Sequence, residues 1–178
     1  MKEIETTRLV LEPLVVDHAA AMFEVLREPV LYKYLDYPPP ASVEHVRDSY
    51  ARLESRASPD GSQGWLNWVV RPRDEEPIGF VQATIFGDQR TWIAYLLGSK
   101  SWGHGYAAEA VRAMLKHVAA EYGSSCFQAT VEARNVRSVR LLERVGFRSA
   151  PSEESAGHAL SPSERLFARR VDAEHHEL

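Results

Sequence analysis

Apolar and polar residues change spacing several times along the chain, and each spacing predicts an element. Residues 8–14 alternate, with Leu9 and Leu11 set against Val10 and Glu12, which predicts an opening strand closed by Pro13. Asp17 is placed to cap a helix over residues 18–26, where Ala19, Met22, Phe23 and Leu26 recur at helical spacing and Pro29 limits the run. Residues 32–40 then read as a loop, YKYLDYPPP. Its tyrosines and prolines suit either a stiff aromatic surface segment or a cover over the core.

Ser42 is an N-cap, without a full capping box, for a helix over residues 43–56, and residues 57–64 form a turn. Three β-rich runs follow at 65–71, 78–86 and 91–97, joined by connectors short enough for antiparallel hairpins. From Tyr106 to Tyr122, Val111, Met114, Leu115, Val118 and Tyr122 share one helical face, Glu109, Arg112 and Lys116 lie on another, and Gly123 supplies the stop. A strand at 126–131, a short helix at 135–144, a turn at Gly146-Phe147 into a further strand, and a last strand at 165–171 complete the pattern. Residues 149–163 read as a polar loop and 172–178 as a frayed tail carrying His175 and His176.

At 178 residues and 44% hydrophobic, the chain is expected to form a single domain, 1–178. A net charge of -4 without a basic run gives no support for nucleic-acid binding. The lone cysteine, Cys126, excludes an internal disulfide and reads as core; no metal-ligand spacing occurs. The opening residues lack an apolar leader segment and no run is long enough to span a membrane, so a soluble, cytoplasmic chain is expected.

The strongest local feature is Trp102-Gly103-His104-Gly105-Tyr106-Ala107, between a strand and a long amphipathic helix. A helix N-terminus offers unpaired N–H groups and partial positive charge, and small residues let a phosphate approach them. On these residues alone an ordinary tight turn accounts for the glycines equally well. No GK[ST] follows, and Ala107-Ala108 replace the last glycine of a GxGxxG.

About 30 residues later comes Asn135-Val136-Arg137-Ser138-Val139-Arg140-Leu141-Leu142-Glu143-Arg144-Val145-Gly146-Phe147. The two segments together resemble the GCN5-related N-acetyltransferase superfamily, its Q/R-x-x-G-x-G/A loop followed by N-x-x-S-x-x-L-x-E-x-x-G-F. ETTRLVLEPL, Ile93-Ala94-Tyr95-Leu96-Leu97 and WGHGYAAEA are similar to the branch of ribosomal-protein alanine acetyltransferases, with Trp102 in place of the general Gln or Arg.

That resemblance implies an α/β (α+β) fold: a mixed, mostly antiparallel sheet with helices on both faces and a splayed parallel strand pair, here 91–97 and 126–131. It implies acetyl-CoA as acetyl donor and an amine acceptor, a small molecule or a protein N-terminus, attacking directly in a ternary complex without a metal. Main-chain amides across Trp102, Gly103, His104, Gly105, Tyr106, Ala107 and Ala108 would hold the pyrophosphate. Leu96, Leu97 and Asn135 would meet the pantetheine arm, and Arg137 the 3′-phosphate, while Arg140 and Arg144 continue a solvated stripe.

Ser138 would serve the thioester sulfur as proton or hydrogen-bond donor, because Leu142 stands where many relatives carry a tyrosine. Thr91 and Trp92 occupy the stretch where relatives carry a base glutamate, leaving Glu132, Asp88 and His104 as candidates and the base unassigned. Glu109 reads as a charge partner at the helix start. A non-catalytic acyl-CoA sensor, or a different phosphate-binding protein sharing only the glycine loop, remains an alternative. Acceptor and oligomeric state, a homo-oligomer included, stay open.

Overall fold

The computed structural model describes residues 1–88, 90–154 and 160–171. The expected tail, with His175 and His176, and part of the 149–163 loop lie outside them. Eight strands form one sheet in the order β1-β2-β3-β4-β5-β6-β8-β7: β1 (Ile4–Glu5), β2 (Leu9–Pro13), β3 (Gln63–Pro72), β4 (Gly79–Phe86), β5 (Arg90–Leu97), β6 (Cys126–Glu132), β7 (Arg148–Ala150) and β8 (Glu164–Arg170). Neighbours pair antiparallel except β5 with β6.

Alternation along β3 explains why helices cover both faces. Leu66, Trp68 and Val70 enter a core shared with α3 (Tyr106–Tyr122), whose Val111, Met114 and Val118 are fully buried. Val69 points the other way, into a second cluster with Met22 and Leu26 of α1 (Ala19–Leu26) and Val46 and Tyr50 of α2 (Val43–Leu53). Leu142 of α4 (Val136–Arg144) joins the α3 side.

Ser42 accepts from the His45 N–H at 3.2 Å, and Gly123 ends α3 at φ +69° as expected. Other boundaries move. Asp17 does not cap α1: it lies in a 3-10 turn, Val16–His18, whose His18 Nδ1 accepts from the Val15 N–H. Helix α2 stops at Leu53, three residues before a left-handed Arg56 (φ 60°). Part of the expected 149–163 loop enters the sheet, because β8 has a second edge on which Arg148–Ala150 pairs as β7. A 3-10 turn follows, held where buried Gln128 donates to the Glu154 carbonyl.

Gly79, opposite Leu97, allows β4 to approach the end of β5. A Cβ there would lie 2.7 Å from Leu97 Cα and press on the Leu96 carbonyl oxygen. Gly79→Ala is therefore expected to destabilise the fold by about 1–3 kcal/mol, read as a lower urea midpoint with unchanged slope.

Candidate active site

The parallel ladder of β5 and β6 spans Arg90↔Cys126, Thr91↔Phe127 and Trp92↔Gln128 and then ends, although β5 runs on to Leu97 and β6 to Glu132. Their outer edges stay paired to β4 and β8. The closed end is pinned by buried Thr91, whose hydroxyl donates to Ser124 Oγ at 2.7 Å. Beyond it a gap lined by peptide groups opens between two strands.

The Gly98 N–H donates to the Ile78 carbonyl at 2.8 Å, in register with Phe80↔Leu96. Main-chain groups alternate sides along a strand, so those of Leu96 face β4, while those of Tyr95 and Leu97 face the gap. The main chain of Leu96, expected to meet the pantetheine arm, is therefore taken up by β4. The Leu97 carbonyl already accepts from Trp102 Nε1 at 2.8 Å.

The loop after β5 makes its turns at Gly103 (φ +84°) and Gly105 (φ +81°), a region costly for other residues. The first main-chain bond within α3 runs from the Glu109 N–H to the Gly105 carbonyl, so the amides from Gly105 to Ala108 have no intrahelical partner. Arg8 holds this arrangement from a distance. Its guanidinium pairs with Glu109 at 2.6 Å, donates to the His104 carbonyl at 2.9 Å and lies 4.7 Å from the Tyr106 ring centre. Thr6 Oγ1 and the Arg8 N–H also donate to Glu109. Beside them is a cavity of about 500 Å³ walled by Arg8, Gly105, Ala108, Glu109, Arg112 and Arg144. Orphan amides and a helix dipole suit a pyrophosphate; Arg112 and Arg144 add positive charge, while Arg8 is paired with Glu109 and Glu5 also lines the wall.

Helix α4 brings its residues to the same place. Asn135 Oδ1 caps the helix by accepting from the Ser138 N–H at 3.2 Å. The Arg137 guanidinium stacks 3.5 Å above the Trp102 ring, which joins α4 to the loop. Ser138 Oγ lies 2.7 Å from Tyr95 Oη. Burial pushes the Tyr95 hydroxyl up to about 12, against the Ser138 hydrogen bond, so it stays a neutral donor near pH 7.

Sequence reasoning assigned no role to Tyr95 or Arg8. The only signals were one hydroxyl inside the apolar run IAYLL and one cation opening a strand. The base candidates gather less well. Asp88 sits before the closed end of β5, where the Arg90 hydrogen bond holds its carboxyl below the usual range. Glu132 is held low by hydrogen bonds from Ser163 and Arg134, the latter at 2.8 Å. The His104 side chain is exposed and stacks on Tyr106.

Residues 8–148 match the family model described as Acetyltransferase (GNAT) domain. The chain belongs to the GNAT acetyltransferase family. It is similar to the uncharacterized N-acetyltransferase p20 of Bacillus licheniformis, 27% identical over 83% of each chain. Among solved structures, a GNAT-family acetyltransferase from Bacillus anthracis matches with TM-score 0.76 at 20% identity, over 95% of this chain and 98% of that one. RimL, a ribosomal L7/L12 alpha-N-protein acetyltransferase solved with coenzyme A, matches with TM-score 0.79 at 20% identity, over 97% and 100%. In this GNAT chain no group of potential metal ligands occurs among the described residues, and no described helix is long and apolar enough to cross a membrane.

Burial raises the Glu109 pKa, but hydrogen bonds from Thr6 and Arg8 and the Arg8 charge outweigh it, so the carboxyl is held below its ordinary 4.5. A depressed folded pKa stabilises above the unfolded value and loses that contribution as pH falls through the folded one. Glu109→Gln is expected to cost about 1–3 kcal/mol at pH 7. In urea titrations the deficit should stay constant down to pH 4.5 and shrink below it.

Proposed function

We propose that this GNAT chain transfers an acetyl group from acetyl-CoA to a primary amine by direct attack within a ternary complex. The observation that carries the reading is the parting of β5 from β6 after Trp92↔Gln128, with the uncapped start of α3 beyond the end of β5. An amide-bearing arm can pair with strand edges as an added strand does, and a pyrophosphate suits the helix start.

Acetyl-CoA supplies the acetyl group as a thioester, whose C–S bond breaks as the amine nitrogen forms the new C–N bond. Amides from Gly103 to Ala108 hold the diphosphate, with Arg8 fixing the loop that presents them. Tyr95 and Leu97 offer main-chain groups to the arm. Arg137 swings from Trp102 toward the 3′-phosphate, and Asn135 keeps Ser138 in place through the helix cap.

Ser138 then donates a hydrogen bond to the departing sulfur as negative charge develops there. With neutral Tyr95 as the donor in their 2.7 Å hydrogen bond, Ser138 Oγ becomes the stronger donor toward sulfur. A phenol from β5 thereby stands beside the serine of a helix that carries Leu142 where relatives carry their own tyrosine, which favours catalysis over sensing. The proton shed by the amine leaves through solvent, since Asp88 and Glu132 are both committed to arginines.

Saturating acetyl-CoA is expected to raise the melting temperature, with about 2.7 kcal/mol of stabilisation at 100 times Kd. Absence of any shift would overturn the reading. Gly105→Val should lose affinity in calorimetry, because valine is strained at φ +81°. With an acceptor in hand, Ser138→Ala is expected to lower kcat roughly 10- to 1000-fold with little change in acetyl-CoA affinity. Tyr95→Phe should lower it less, and the double variant should match the single serine variant.

A further inference from the structure

Leu96 and Tyr95 leave β5 on opposite faces of the sheet. Tyr95 reaches Ser138 on the α3 side; Leu96 and Phe80 face α1 and α2. On that second face, over the Phe80↔Leu96 pair of β4 and β5, lies a separate cavity of about 240 Å³. Its wall includes Tyr32, Tyr37, Tyr50, Phe80, Leu96 and His45, with prolines of the 32–40 segment above them. Tyr32 and Tyr37 meet edge to face at 5.7 Å between ring centres.

Two properties of this wall narrow its ligand. No residue lining it is acidic, and Asp36, next to Tyr37, is exposed and outside it. A second ammonium group would find aromatic faces there but no carboxylate. Tyr50, 5% exposed, closes the floor of the cavity with its ring. At about 240 Å³ the space has room for a ring and is large against a methyl or hydroxymethyl substituent.

Resting on the proposed transfer reading, we infer that this cavity is the acceptor subsite and selects an amine bearing one aromatic ring on a short chain, not a polyamine and not an amine beside a small polar side chain. The ring packs among Tyr32, Tyr37 and Phe80. The amine nitrogen then points past Leu96 toward the gap. It approaches the thioester from the face opposite Ser138, so nucleophile and sulfur are served from different sides of one sheet. The YKYLDYPPP segment thereby becomes a wall of the acceptor site.

The test pairs binding with turnover, using 2-phenylethylamine, tyramine, spermidine and a peptide with N-terminal serine as probes. Binding is read by calorimetry on the CoA-saturated protein, and turnover by thiol release from acetyl-CoA. The arylalkylamines are expected to bind saturably and to exceed the other two roughly 10- to 100-fold in kcat/KM. Ser49→Phe, which fills the cavity from α2, should abolish that preference while acetyl-CoA affinity is retained. Tyr37→Ala, at a rim position 52% exposed, should weaken it several-fold and serves if the first variant does not fold. Preference for spermidine or the seryl peptide, or no saturable arylalkylamine binding, overturns the inference while leaving the transferase reading intact. Arylalkylamine binding that Ser49→Phe abolishes, with no thiol release from any probe, upholds the cavity and overturns the transferase reading instead.

Discussion

Two parallel strands that pair over three residues and then part set the position of everything else in this molecule. A strand edge inside a fold presents N–H and C=O groups whose burial without partners costs about 1–3 kcal/mol each, so a sheet normally closes such a gap. Here β5 and β6 are each held from outside, by β4 and by β8, and they cannot converge without breaking those ladders. The open edge is therefore a built feature. The glycine loop begins where β5 ends, α4 begins just beyond β6, and on the other face the aromatic cavity rests on Leu96 of β5.

The loop depends in turn on one carboxylate. Glu109 gathers Thr6, the Arg8 main chain and the Arg8 guanidinium, while Arg8 also reaches the His104 carbonyl and the Tyr106 ring. Isolated surface pairs such as Lys2–Glu121 contribute little. The Glu109 cluster differs because several partners converge on a half-buried acceptor, at the positive end of a helix that itself favours an anion. Holding that charge in place fixes the first turn of α3, and with it the direction of the amides that would meet a diphosphate. The same cluster anchors the start of β2 to a loop nearly a hundred residues away.

Signals written in neighbouring residues were legible in the sequence by itself. The Ser42 cap, the apolar stripe from Val111 to Val118, the Gly123 stop and the hairpins of β3, β4 and β5 each follow from spacing or backbone preference, because the energies that decide them act within a turn or across a short connection. The loop and the Asn135-to-Phe147 segment identified the family on residue identity. One boundary failed where a distant partner intervened, since β7 exists because β8 has a free edge; another failed locally, since α1 starts late because His18 turns back toward Val15 and Glu12.

What only the tertiary structure decided are contacts between residues far apart in the chain. Tyr95 and Ser138 are 43 positions apart, and only the parting of β5 from β6 brings a strand phenol to a helix serine. Whether Leu96 or its neighbours face the gap depends on strand parity, fixed by the Gly98–Ile78 bond to a different strand. The tyrosines of residues 32–40 could be surface or wall by composition alone; packing against α2 and β5 made Tyr32 and Tyr37 wall. Local sequence determined the elements and the family because those depend on short-range backbone chemistry, whereas the gap, the Tyr95–Ser138 pair and the aromatic cavity depend on which distant surfaces meet when the two cores close.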